Sequence, residues 1–392
     1  MGRSSWTWTA LLLLLPTLLP VPSASSSSRL TIHPGCQASS GGVDIPYPFG
    51  IGCFRPGFEI ACVTSTTPVL AGTSPAVRVL SLSVMPRPEA RVTLPVAYQC
   101  YNQTGNATDD FSYGTVDLNP AGVYRISNTY NELFVLGCYT LGYTNSGPGG
   151  RYRYMVYTGC MAYCNDSGSA QDGACAGIGC CRVDIPPGLA DNKMKFSSCW
   201  WRDAMEFSPC DYAFIVEKGY YTFRATDLRM DVAQATMPLR LDWAIRGDGN
   251  GTSMSMSCAQ AANRPGYTCK SDHSECVDST NGPGYVCNCT KGYEGNLYLD
   301  EGCTNINECE RSREEFPCHG ECHDTDGSYD CRCCLGYQSN GDPKENPCNP
   351  KFPLAAKLTL GMNTVFNNKF SCTYISSFIC NHVSEETAVQ KE

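Results

Sequence analysis

The sequence predicts a mostly β, disulfide-rich, multi-domain protein, in which a long cysteine-rich β region is followed by two small cysteine-framed modules. Three observations lead there. The chain has 27 cysteines in 392 residues, spread along almost its whole length, a usage that suits an oxidising compartment and has no physical reason in a reduced one. Short apolar runs alternate with period two, as in Val92, Leu94 and Val96, and long helical periodicity is absent. The last third holds two six-cysteine groups of about 45 residues each, too small to be held together by apolar burial alone.

Residues 1–25 read as a signal peptide: Arg3 in a short n-region, an apolar stretch over 10–19, and small residues at 23–27 for cleavage. The apolar stretch is shorter than the about 20 residues a membrane helix needs, so the expected location is secreted. The net charge of −9 is unevenly placed. Residues 29–257 carry 17 basic and 19 acidic side chains, while 258–350 carry 7 and 16. Acid gathered in the small modules suits a divalent cation, and with no Lys/Arg block elsewhere the composition excludes nucleic acid as a partner.

In chain order, Cys36 to Cys62 contains Val43-Asp44-Ile45-Pro46-Tyr47-Pro48-Phe49-Gly50-Ile51-Gly52-Cys53 and Gly57-Phe58-Glu59-Ile60-Ala61-Cys62. Prolines two apart fix φ and favour extended backbone, and the glycines mark turns. These residues resemble the galacturonan-binding domain that opens the ectodomain of plant wall-associated receptor kinases. That family normally carries a second cysteine before the Gly-Val; here Ser40 stands in its place, which implies one missing disulfide and one unpaired cysteine. Residues 29–140 are assigned to this domain. Strands are expected over 77–96, 123–126 and 133–136, and a surface loop over 142–150, where Gly, Asn, Ser and Pro crowd together.

Residues 141–257 form a second cysteine-rich β region ending in a Gly/Ser/Asn linker. Cys160, Cys164, Cys180 and Cys181 have spacings a zinc ion would accept, but in a secreted chain disulfides are expected, with the adjacent Cys180 and Cys181 reaching different partners. Tyr212, Phe214 and Val216 alternate as a strand would, as do Leu239, Leu241, Trp243 and Ile245. Gly-Ile-Gly-Cys-Cys before Arg182 and Met237-Pro238-Leu239-Arg240-Leu241-Asp242-Trp243 resemble the second half of the same ectodomain.

Residues 258–303 and 305–348 resemble EGF-like modules. Spacing alone leaves fifteen connectivities per module; the resemblance implies Cys258–Cys276, Cys269–Cys287 and Cys289–Cys303 in the first, and Cys309–Cys322, Cys318–Cys331 and Cys333–Cys348 in the second. The second resembles the calcium-binding subclass, through Asn305-Ile306-Asn307-Glu308 before its first cysteine and Cys322-x-Asp324-x-x-x-x-Tyr329-x-Cys331 within it. The resemblance implies Ca²⁺ held by side-chain oxygens of Asn305, Glu308 and Asp324 and carbonyls of Ile306, Thr325 and Ser328. Asn305 replaces the family's usual Asp, which removes a charge. Cys334 is a seventh cysteine in this module and, with 27 in total, a candidate for the unpaired one. Only Thr304 separates the modules, so an ion there would hold them in a fixed, extended relation, as a spacer or a docking arm.

The tail, 349–392, departs from receptor kinases: no run approaches a membrane span and no kinase motif appears. None of the five histidines accompanies a nucleophile motif, so no enzyme is expected. Asn-x-Ser/Thr sequons stand at Asn102, Asn106, Asn165, Asn250 and Asn288. An acidic polysaccharide needs cations for its carboxylates and aromatic faces for its rings. Arg78, Arg87, Arg91, Arg151 and Arg153 are the candidate cations, while Tyr47 and Phe49 read as packed core. The resemblance therefore implies a secreted, non-catalytic binder of pectin or oligogalacturonides in the plant cell wall, acting as a soluble decoy. The alternative is an extracellular module that binds a peptide or cell-surface protein through its EGF-like modules.

Overall fold

The computed structural model describes residues 36–64, 66–118, 122–145, 157–198, 206–231, 235–246, 257–299 and 302–351. The signal peptide, Arg151, Arg153, the 247–256 linker with Asn250, and nearly all of the tail lie outside them.

Two antiparallel sheets make the body of the N-terminal part. One has the spatial order Tyr124–Ile126, Thr236–Trp243, Glu89–Pro95 and Val79–Ser83; the other runs Cys180–Asp184, Asn131–Leu136, Cys210–Glu217, Ala97–Tyr101 and Ala107–Ser112. The pleat puts successive side chains on opposite faces. Along Glu89–Pro95, Ala90, Val92 and Leu94 are accordingly buried, while Glu89, Arg91 and Thr93 are half-exposed. The expected strands over 77–96, 123–126 and 133–136 are all present.

Cys210–Glu217 departs from simple alternation, because it is buried on both faces. Ala213 and Ile215 join the core between the sheets. Tyr212, Phe214 and Val216 join a second core with Phe134, Phe223 and Leu228, where Tyr221 meets the Phe134 and Phe214 rings edge-on at 4.9 and 5.0 Å. The expected loop over 142–150 is corrected in its first part: Thr140–Asn145 is the centre strand of a third sheet, between Tyr157–Ala162 and Met194–Ser198. Gly142 serves there because a Cβ would press 2.7 Å from Val135 of the neighbouring sheet.

Among the described residues, five disulfides tie this part: Cys36–Cys53, Cys100–Cys210, Cys138–Cys164, Cys160–Cys181 and Cys175–Cys180. Adjacent Cys180 and Cys181 reach different partners, and the four cysteines with zinc-like spacing are all crosslinked. Cys62 is the free cysteine among the described residues, and its sulfur lies 2.5 Å from the Ser40 hydroxyl. Ser40 thus stands where a second sulfur would complete a bridge. Cys334 is corrected: it is disulfide-bonded.

Each small module is a hairpin framed by three disulfides. Ser274–Asp278 pairs with Tyr285–Cys289, and Glu321–Thr325 with Ser328–Arg332. The crosslinks are Cys258–Cys276, Cys269–Cys287 and Cys289–Cys303, then Cys309–Cys322, Cys318–Cys331 and Cys333–Cys348.

The first module is built into the β body, which corrects its reading as part of a spacer. Ile245 and Tyr285 exchange backbone hydrogen bonds of 2.8 and 3.2 Å, so the module's hairpin continues the end of the body. Asn281, 2% exposed, donates to the Ile126 carbonyl and to Asp242, and accepts from the Gly188 N–H. Phe49 and Phe58, from the two family-like motifs, meet Trp243 edge-on at 5.4 and 5.2 Å. Tyr298 of the module packs on the same Trp243 at 5.6 Å. The motif carrying the family resemblance is therefore largely a packing motif.

The second module is joined to the first at a tight seam. Tyr293–Glu294 pairs with Thr304–Asn305, and the Tyr293 hydroxyl donates to Asp326 at 2.8 Å. Gly292 has φ +89°, and a Cβ there would run into the Gly327 backbone, so only glycine lets the modules approach this closely.

Candidate functional sites

The candidate cations fall into different situations. Arg78 is exposed. The Arg87 guanidinium lies 5.0 Å over the Tyr130 ring, which also carries Arg240 at 5.1 Å. Arg91 faces Arg240 across the strand pair, a like-charge contact that is unfavourable alone. Glu217, from the other sheet, resolves it by accepting from Arg91 Nε at 2.7 Å and Arg240 Nε at 2.6 Å, and Arg240 also reaches Glu89 at 3.2 Å. Burial works to raise the Glu217 pKa, but hydrogen bonds from Arg240 and Arg91 outweigh it and hold the carboxyl below its ordinary value. The positive charge of Arg91 is thus engaged within the fold, and Glu217 is the partner that sequence distance conceals.

Of the residues expected around calcium, Asn305 and Asp324 meet at the seam between the modules. Asn305 Nδ2 donates to Asp324 at 3.1 Å, and Asn305 Oδ1 accepts from the Gly327 N–H at 2.6 Å. Thr325 Oγ1 donates to the Ser328 carbonyl at 2.8 Å. Glu308 sits on a 3₁₀ turn and is 4% exposed, with Oε2 buried and without a hydrogen-bond partner, as is Asn307 Oδ1. An unpartnered buried carboxylate oxygen is costly unless something else satisfies it. A hard cation taking six to eight oxygens would do so, provided carbonyls and amides supply most of them. That condition is real here, since no cluster of three His, Cys, Asp or Glu side chains occurs among the described residues.

A third feature escaped the sequence reading. A cleft of about 230 Å³ opens between the N-terminal part and the first module, lined among others by Tyr47, Arg55, Tyr267, Lys270 and Tyr298. Arg55 donates to the Gly266 carbonyl at 3.1 Å and so bridges the two sides. Tyr267 stacks on Tyr285, with centroids 5.8 Å apart. Tyr298 is nearly buried and accepts from the Cys287 N–H at 3.1 Å; burial pushes its phenol pKa well up. Phe49 is core at 1% exposure, whereas Tyr47 is half-exposed in the cleft. Contiguity of residues near 47, 55, 267 and 298 has no signature in a linear text.

Of the described sequon asparagines, Asn102, Asn106 and Asn165 are exposed, and Asn288 is half-buried in a strand opposite Glu275. No helix among the described residues is long and apolar enough to cross a membrane.

Comparison with known proteins places these features. The chain is 35% identical over 322 residues to wall-associated receptor kinase 2 of Arabidopsis thaliana, covering 78% of this chain and 39% of that protein. It is 30% identical to wall-associated receptor kinase 4 and 32% to wall-associated receptor kinase 5 of the same plant, over 81% and 80% of this chain. The chain spans about two fifths of the length of these relatives. Residues 36–92 match the family described as wall-associated receptor kinase galacturonan-binding. The chain therefore carries a galacturonan-binding domain of the wall-associated receptor kinase type and is homologous to those kinases over about 78% of its length.

Proposed function

We propose that this chain is an extracellular, non-catalytic region that binds de-esterified pectin in the plant cell wall. The observation that carries this reading is the galacturonan-binding match over 36–92, in a disulfide-rich β body suited to an oxidising exterior. Calcium at the second module belongs to the same proposal. Asn305, Glu308 and Asp324, with carbonyls of Ile306, Thr325 and Ser328, would hold the ion, and its charge would satisfy the orphaned Glu308 oxygen and stiffen the seam. Exposed Asn102, Asn106 and Asn165 would carry glycans. As a soluble decoy, the region would compete with wall-associated receptor kinases for the same polymer.

Retention on immobilised polygalacturonate tests the reading. The secreted chain should be held there, be displaced by free oligogalacturonides, and pass through a neutral glucan matrix. Equal passage through both matrices would refute it.

A further inference from the structure

We propose that the acidic polysaccharide is gripped in the cleft between the β body and the first EGF-like module, with Arg55 and Lys270 taking carboxylates and Tyr267 and Tyr47 flanking the sugar rings. This inference rests on the proposed pectin-binding function and assigns its site. The ligand class is a polymer of sugar rings that bear carboxylates.

The chemistry of the lining points to that class. No acidic side chain is among the described residues that line the cleft, although the chain is net −9 and residues 258–350 alone carry 16 acidic against 7 basic residues. Two cations without an acid are therefore conspicuous in this part of the molecule. Neither makes a salt bridge among the described residues, unlike Arg91 and Arg240. Arg55 is half-buried and anchored by its single bond to the Gly266 carbonyl, which orients the guanidinium and leaves most of its five N–H donors for a carboxylate. Lys270 is exposed at the rim, where a mobile ammonium can follow the next carboxylate along the chain.

The aromatic part is equally specific. Tyr267 is half-buried and backed by Tyr285, so its ring is held in place before any ligand arrives. Tyr298 supplies a floor locked against Trp243. At about 230 Å³ the cleft lies below the ~300–1,000 Å³ of drug-sized pockets, which suits one ring seated inside with the polymer continuing past the rim. The site needs both modules, because Arg55 and Tyr47 come from the N-terminal domain and Tyr267 and Lys270 from the first EGF-like module.

The test uses the full secreted chain, measuring affinity for polygalacturonate and for a highly methyl-esterified pectin, whose esters remove the negative charge. Lys270→Gln and Arg55→Gln should each weaken binding to polygalacturonate about tenfold, as expected for loss of one charge-assisted contact, and the double variant about a hundredfold. Rising NaCl should weaken the wild type more than the double variant. The Lys270 side chain is exposed and makes no hydrogen bond or ion pair among the described residues, so its variant should keep the wild-type melting temperature. Arg182→Gln, exposed on the β body and outside the cleft, should bind like wild type. If wild type binds while Lys270→Gln and Arg55→Gln bind equally well, the cleft assignment is overturned and the proposed function stands. If wild type binds no polygalacturonate, the proposed function falls and the cleft with it.

Discussion

The two EGF-like modules share one crosslink pattern and differ in almost everything between the cysteines. In the first, Tyr285, Leu297 and Tyr298 are buried in one core with the β body. In the second, the buried side chains are Cys318, Cys331, Cys334 and Glu308, and Leu335 is 88% exposed. The crosslinks thus set the shape of a module, while the apolar residues carried between them decide whether it fuses with a neighbour. The first has become part of a larger core. The second is held by sulfur, by its seam and, on our proposal, by an ion.

The largest effect that would break this comparison is in the first module. Tyr298→Ala should cost about 3–5 kcal/mol, as aromatic truncations in cores do, and should lower one shared unfolding transition of body and first module. An aromatic truncation in the second module, Tyr329→Ala, should cost about 1 kcal/mol, because that ring is half-exposed and its hydroxyl makes a single bond to the Pro317 carbonyl. Calorimetry measures both; separate melting of body and first module in wild type would dissolve the contrast. Next in size is calcium. At a hundredfold excess over its dissociation constant it should stabilise the second module by about 2.7 kcal/mol and leave the first unmoved, and Glu308→Ala should abolish the shift. Protection of the same stretch by hydrogen exchange distinguishes the two modules.

The smallest effect sharpens the view of the body. Glu217 has a folded pKa below its unfolded value of 4.5. Its contribution is therefore present above that value and is lost as pH falls through the lowered folded value. Glu217→Gln should remove about 1–2 kcal/mol at neutral pH and flatten the acid limb of a stability-against-pH curve. An acid limb unchanged in the variant would show that the arginines do not depend on this carboxylate.

Much of the architecture was readable because its signals are local. The period of Val92, Leu94 and Val96 reports a half-buried strand, and the two six-cysteine spacings report two modules. Ser40 marks the position facing Cys62, whose sulfur has no crosslink. Even the doubly buried Cys210–Glu217 strand shows itself in the unbroken run Tyr212-Ala213-Phe214-Ile215-Val216, a pattern that alternation alone underreads. What escaped the text is long-range. Arg91 and Glu217 are 126 residues apart, so an arginine engaged by a carboxylate looks the same in sequence as a free one. The turn-like composition near Gly142 hides a strand because the glycine answers crowding by Val135, a neighbour on another sheet element. The cleft is the extreme case, since Arg55 and Gly266 on its two walls are 211 residues apart.

The fusion of the first module with the body has a consequence for how such chains can be recombined. A border drawn at residue 257, where the cysteine pattern changes, would strip Trp243 of Tyr298 and leave Asp242 and the Gly188 N–H without Asn281. The true unit of exchange between relatives ends near Thr304. A chimera cut there inherits an intact interior, and what it must rebuild is the seam where Tyr293 meets Asp326.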